Sequence, residues 1–146
     1  MWNECQLGRS AATGLRCDEF DELIIAQTYF DPAGMILACN DGQVIGFVHA
    51  GFGPNADRSG LGHEDGIICA VMVHPNFRRR GIGTELVRRA EQYLRSRGST
   101  RIYAGGADPR DPFYCGIYGG SQSAGFLMSD SAAEPFFAKL GFIACE

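Results

Sequence analysis

A chain of 146 residues and 15.8 kDa is sized for one domain, residues 1–146, folded around a single core. Hydrophobic residues at 45% and charged residues at 21% are globular values, and no apolar run reaches the roughly 20 residues of a membrane span, which excludes a membrane-spanning helix. The net charge of −4 hides a division: Arg78, Arg79, Arg80, Arg88, Arg89, Arg95, Arg97 and Arg101 stand against Glu85 and Glu91, so this stretch carries +6 and the rest of the chain −10. A basic island on an acidic chain suits a compact polyanion, such as the phosphates of a small molecule, and speaks against the broad positive face that nucleic acid requires.

The opening residues, Met1-Trp2-Asn3-Glu4-Cys5, hold neither a basic leader nor an apolar stretch, so the expected location is cytoplasmic. Cys5, Cys17, Cys39, Cys69, Cys115 and Cys145 form no C-x-x-C pair and no Cys/His cluster; reduced thiols and no metal are expected. Acids lead and Phe20, Leu23 and Ile24 follow in a short helix predicted over Asp18–Ala26. Met35–Cys39 and Val44–Phe52 are apolar runs joined through Asp41-Gly42, the signature of a β-hairpin. Gly53–Asp65 reads as a solvated loop, and Gly66–Val73 as a central strand covered on both faces, stopped by His74-Pro75. From Thr84 to Arg97 the positions of Leu86, Val87, Ala90, Tyr93 and Leu94 predict an amphipathic helix ending at Gly98. A strand at Arg101–Ala104 completes a right-handed parallel crossover. Gly105–Ser129 is a long loop rich in glycine and aromatic residues, Ser131–Leu140 a last helix, and Phe142–Cys145 the start of a last strand.

Chemistry concentrates in Val73-His74-Pro75-Asn76-Phe77-Arg78-Arg79-Arg80-Gly81-Ile82-Gly83-Thr84, between the central strand and the amphipathic helix. Glycines at 81 and 83 let backbone approach a ligand, and the free amides of a helix start point at a bound anion with the helix dipole behind them. The arrangement R-x-x-G-x-G at Arg78, Gly81 and Gly83, with Phe136-Phe137-Ala138-Lys139-Leu140-Gly141-Phe142 further on, resembles the motifs of the GNAT superfamily of acyl-CoA-dependent N-acetyltransferases. The Lys-Ser/Thr of a Walker loop and the Rossmann spacing are both absent.

The resemblance implies an α/β (α+β) fold: a mixed, splayed sheet flanked by helices, with acetyl-CoA in the opening between two of its strands. It implies that Val71, Met72 and Val73 lie along the pantetheine arm, and that Arg78, Arg79, Arg80, Gly81, Ile82, Gly83 and Thr84 hold the pyrophosphate. A substrate amine of a small molecule or peptide attacks the thioester directly; a base or water chain takes its proton, and an acid protonates the departing thiolate. The chain departs from the pattern where the family places a tyrosine acid: Phe137 stands there, beside the cofactor, without a proton to give. Tyr103, Tyr114, Tyr118 or solvent remain for that role, with Tyr114 carried forward, and Glu64 is the chosen base with Asp65 and His63 behind it. His49 reads as structural, Trp2 as packing, and Asp108–Tyr118 as a lid or a packing insert.

The family's usual first strand and helix and its last strand have no counterpart here, so a fragment, a shortened member and one half of a tandem pair all stay open. An unpaired sheet edge leads to the expectation of a homodimer or of contact with a second GNAT-like domain, with no nucleic-acid or membrane partner. The alternative function is a CoA-binding, catalytically silent domain that regulates or scaffolds a partner.

Overall fold

The computed structural model describes residues 1–5, 14–105, 113–114 and 130–144. After a 3-10 turn at Trp2–Glu4 come α1 (Cys17–Phe20), running straight into a π-helical turn at Asp21–Ile25, then β1 (Met35–Asn40), β2 (Gln43–Pro54) and β3 (Leu61–Val73). A 3-10 turn at Pro75–Phe77 leads into α2 (Ile82–Ser96), followed by β4 (Arg101–Ala104) and α3 (Ala133–Lys139). The described strands form one mixed sheet in the order β1-β2-β3-β4, antiparallel through the first three and parallel between β3 and β4.

The hairpin turns where Asp41 and Gly42 both take positive φ, at 48° and 78°, a backbone twist that matches the right-handed twist of paired strands. The strands on either side of the next turn are longer than their apolar runs. Pro54 pairs with Leu61, so the expected loop Gly53–Asp65 contracts to residues 55–60, closed by Asn55 N to Gly60 O at 2.8 Å. His63 and Glu64 concealed this extension, because β3 begins at an exposed end where no core demands apolar side chains.

Ile45–Gly53 of β2 are all buried, because helical layers cover both faces of the sheet. On one face Leu86, Val87, Ala90 and Leu94 of α2 pack with Val48, Ala50, Phe52, Ile68 and Phe137. Burying an aliphatic side chain of this size contributes about 2 kcal/mol. The opposite face gathers Trp2, Cys5, Ile24, Phe47, Cys69, Met72, Phe113 and Tyr114. Gly98 and Gly141, at φ 103° and 90°, end α2 and α3 as the sequence leads one to expect.

No helix among the described residues is long and apolar enough to cross a membrane. Cys115, Tyr118, Cys145 and most of Gly105–Ser129, including all of the suggested lid but Phe113 and Tyr114, lie outside the described residues.

Candidate active site

β3 and β4 pair from Asp65 with Arg101 to Ile68 with Ala104, and Gly105 N donates to Ile68 O at 2.9 Å as the last rung. β3 continues through Cys69–Val73 with no described strand on that side. The opening starts at a β-bulge: His49 faces Ala70 while Ala50 faces Ile68, leaving Cys69 as the extra residue. A bulge bends its strand and re-aims the groups around it. His74 N donates to Ile45 O at 2.8 Å on the β2 side, so strand alternation turns the peptide groups of Val73 and Val71 toward the opening. Met72 points its side chain the other way, into the cluster with Phe47, while the side chains of Val71 and Val73 pack toward α2.

At the end of β3 the chain builds a cradle of amides. Arg79 and Gly81 take φ of 62° and 80°, and Gly81 caps α2, its carbonyl accepting from Glu85 N at 3.0 Å. The left-handed turn at Gly81 is one that a β-carbon would strain. Backbone N–H groups of residues 79 to 84 donate to no other described residue, which leaves successive donors exposed at the positive end of a fifteen-residue helix. Such a concavity of amides is suited to a phosphate. Gly83 has a packing role as well: a β-carbon there would stand 3.3 Å from the ring of Phe136, so this glycine admits α3 against the start of α2.

Of the three arginines, two brace the loop. Arg78 donates through Nε to Val73 O at 2.9 Å and through Nη2 to Cys5 O at 2.5 Å. Arg80 donates to Asn76 O at 3.0 Å and lies over the Phe77 ring at 5.2 Å. Arg79 is exposed beside the free amides, as is Thr84.

Glu64 and Asp65 lie toward the opposite end of β3, roughly 26–30 Å from Val73 at the rise of an extended strand. Arg101 holds both, with Nε 2.6 Å from Asp65 Oδ1 and Nη2 3.3 Å from Glu64 Oε1. Glu64 stays 68% exposed against 27% for Asp65. Phe137 is buried, its ring 5.3 Å from that of Phe142. Tyr103 is half-buried on β4 opposite Ile67. Tyr114 is buried in the layer that contains the Cys69 bulge; its ring stacks on Trp2 at 6.1 Å and its hydroxyl is 3.0 Å from His49 Nδ1. Burial pushes His49 down to about 4, so its imidazole is neutral at physiological pH. The bulge at Cys69 and the partnership of His49 with Tyr114 left no signal in the sequence, because each depends on pairing across residues distant along the chain. A separate open cavity of about 400 Å³ is lined by Thr28, Tyr29, Pro54, Arg58, Ser59, Gly60 and Leu61. Tyr29 reaches from it to the Phe113 ring at 5.1 Å.

Residues 5–117 match the model of the acetyltransferase (GNAT) family. A mycothiol acetyltransferase of Cellulomonas flavigena is 34% identical over 93 residues, covering 62% of this chain and 25% of that protein. The aminoglycoside N(6')-acetyltransferase type 1 of Klebsiella aerogenes is 28% identical over 98 residues, covering 67% of this chain and 64% of that protein. Among solved structures, the aminoglycoside N-acetyltransferase AAC(6')-Iy in complex with CoA aligns with a TM-score of 0.54 at 19% identity, over 86% of this chain and 76% of that one. The aligned regions thus span a quarter of the first curated relative and just under two thirds of the second.

Proposed function

Because the chain belongs to the GNAT acetyltransferase family, we propose that it transfers an acetyl group from acetyl-CoA to a primary amine of a small molecule or peptide. The observation that carries this reading is the unbroken run of amides from residue 79 to residue 84 that have no partner among the described residues, beside the point where β3 loses its described neighbour. Those amides fit the diphosphate of CoA, Arg79 adds charge at their rim, and the peptide group of Val71 with the N–H of Val73 suits the amides of the pantetheine arm, the Val73 carbonyl being held by Arg78. The related aminoglycoside acetyltransferase, and the −10 charge outside the basic stretch, support a small cationic amine as acceptor.

In this proposal the neutral amine adds to the thioester carbon and the carbon–sulfur bond breaks. Tyr114 gives its hydroxyl proton to the departing thiolate. Glu64, whose carboxylate is the more open of the two beside Arg101, takes the amine's proton through water, and solvent restores the Tyr114 proton. The buried Phe137, with no hydroxyl, favours a second reading, a CoA-binding domain without turnover.

Two measurements test these readings. Acetyl-CoA at 100 times its dissociation constant stabilises the fold by about 2.7 kcal/mol if it binds, and the absence of a thermal shift overturns both. Thiol release in a panel of aminoglycosides, polyamines, amino acids and peptides then separates them: release supports the enzyme, and silence in a protein that binds acetyl-CoA supports the second reading.

A further inference from the structure

His49 is a fully buried polar residue in the middle of β2, opposite Ala70 and next to the Cys69 bulge. Its ring lies between those of Phe30, at 5.3 Å, and Phe113, at 4.4 Å. Gly51 makes room for this stack, since a β-carbon there would stand 3.0 Å from the Phe113 ring and 3.8 Å from His49 Nε2. Nδ1 faces the Tyr114 hydroxyl at 3.0 Å, while Nε2 is buried with no hydrogen-bond partner among the described residues. Leaving a polar atom buried and unsatisfied costs about 1–3 kcal/mol, a cost that an aliphatic residue in this strand avoids.

We infer that His49 is the positioning residue for Tyr114: it carries its proton on Nδ1, donates it to the phenol oxygen, and so turns the phenol hydrogen away from the imidazole. The inference rests on the acetyl transfer proposed above. A buried N–H without an acceptor is rarer and costlier than a buried lone pair without a donor, which leaves Nε2 as the bare nitrogen and Nδ1 as the protonated one. The opposite tautomer both strands an N–H and directs the Tyr114 hydrogen back at the imidazole. The ring's aromatic neighbours among the described residues are Phe30, Phe113 and Tyr114, and burial holds the imidazole neutral. A hydrogen bond donated to the phenol oxygen also stabilises the phenolate formed when the proton passes to sulfur.

Nitrogen-15 NMR of the imidazole groups in the unmodified protein reads the tautomer directly. Nδ1 protonated and Nε2 bare at pH 7 is the expected result; a proton on Nε2, or an imidazolium, overturns the inference. In the acetyl-CoA thiol-release assay, H49V is expected to lower kcat at least about tenfold, part of the roughly 10²–10⁴ that a placed acid contributes, with the KM for acetyl-CoA within about twofold. H49N, which keeps a hydrogen-bonding group near the Nδ1 position, restores part of the loss. The double variant H49V/Y114F falls no further than Y114F alone; additive losses overturn the inference. The two failures are distinguishable, because loss of the underlying activity appears as no thiol release from the unmodified protein, whereas failure here appears as the wrong tautomer, or additive losses, in a protein that still releases thiol.

Discussion

Arg78 Nη2 donates to the carbonyl oxygen of Cys5 at 2.5 Å, across 73 positions of sequence, while its Nε holds Val73 O. The first arginine of the R-x-x-G-x-G pattern is thus a strut that ties the N-terminal turn to the end of β3, and the loop behind it keeps its shape. Trp2, in the same turn, stacks on Tyr114, so one short segment supports both the loop proposed to bind the anion and the proposed acid.

The roles of the arginines separate in mutants. R78A removes two charge-assisted bonds and is expected to cost about 2 kcal/mol of stability as well as CoA affinity. R79A is expected to leave the melting temperature unchanged and to weaken CoA binding with a shallower salt dependence. Denaturant melts and CoA titrations at two ionic strengths check both; equal loss of stability in the two variants contradicts the division.

The two glycines fail in different ways. Placing alanine at Gly81 forces a β-carbon into a left-handed turn, at about 1–2 kcal/mol, and distorts the amides that face the ligand. Valine at Gly83 pushes against Phe136 and displaces α3. Isothermal titration with CoA is expected to show the loss for G81A without unfolding. For G83V, near-ultraviolet circular dichroism is expected to change first, through the Phe136–Phe137–Phe142 contacts.

Stability falls in acid through His49. Its pKa is about 4 in the folded chain against 6.5 unfolded, so between these values the unfolded state binds more protons and stability rises with pH. The contribution is complete above pH 6.5 and is lost as pH falls toward 4. Going from pH 7 to pH 5 is expected to cost about 2 kcal/mol, a dependence that H49V lacks. Urea melts across this range check the slope and its removal.

Much of this architecture was legible from the residues. Asp41-Gly42 marked the hairpin, Leu86, Val87, Ala90 and Leu94 marked α2, and Gly81 marked the left-handed turn that opens α2, because periodicity and backbone demands are local. The extension of β3 to Leu61 was hidden, since an exposed strand end carries the polar residues of a loop. Long-range geometry was hidden as well. Nothing near Gly83 in the sequence names Phe136 as its neighbour, nothing near Glu64 announces Arg101, and His49 reads as an isolated core residue until Tyr114 is placed against it.

In the proposed complex the backbone amides of residues 79–84 grip the diphosphate of CoA. Proton–nitrogen correlation spectra recorded during a CoA titration follow those amides one by one. We expect the resonances from Arg79 to Thr84 to move most and their solvent exchange to slow, with Glu64 and Asp65 little affected by CoA alone. Saturation of the protein with CoA while the Arg79–Thr84 resonances stay in place contradicts the account.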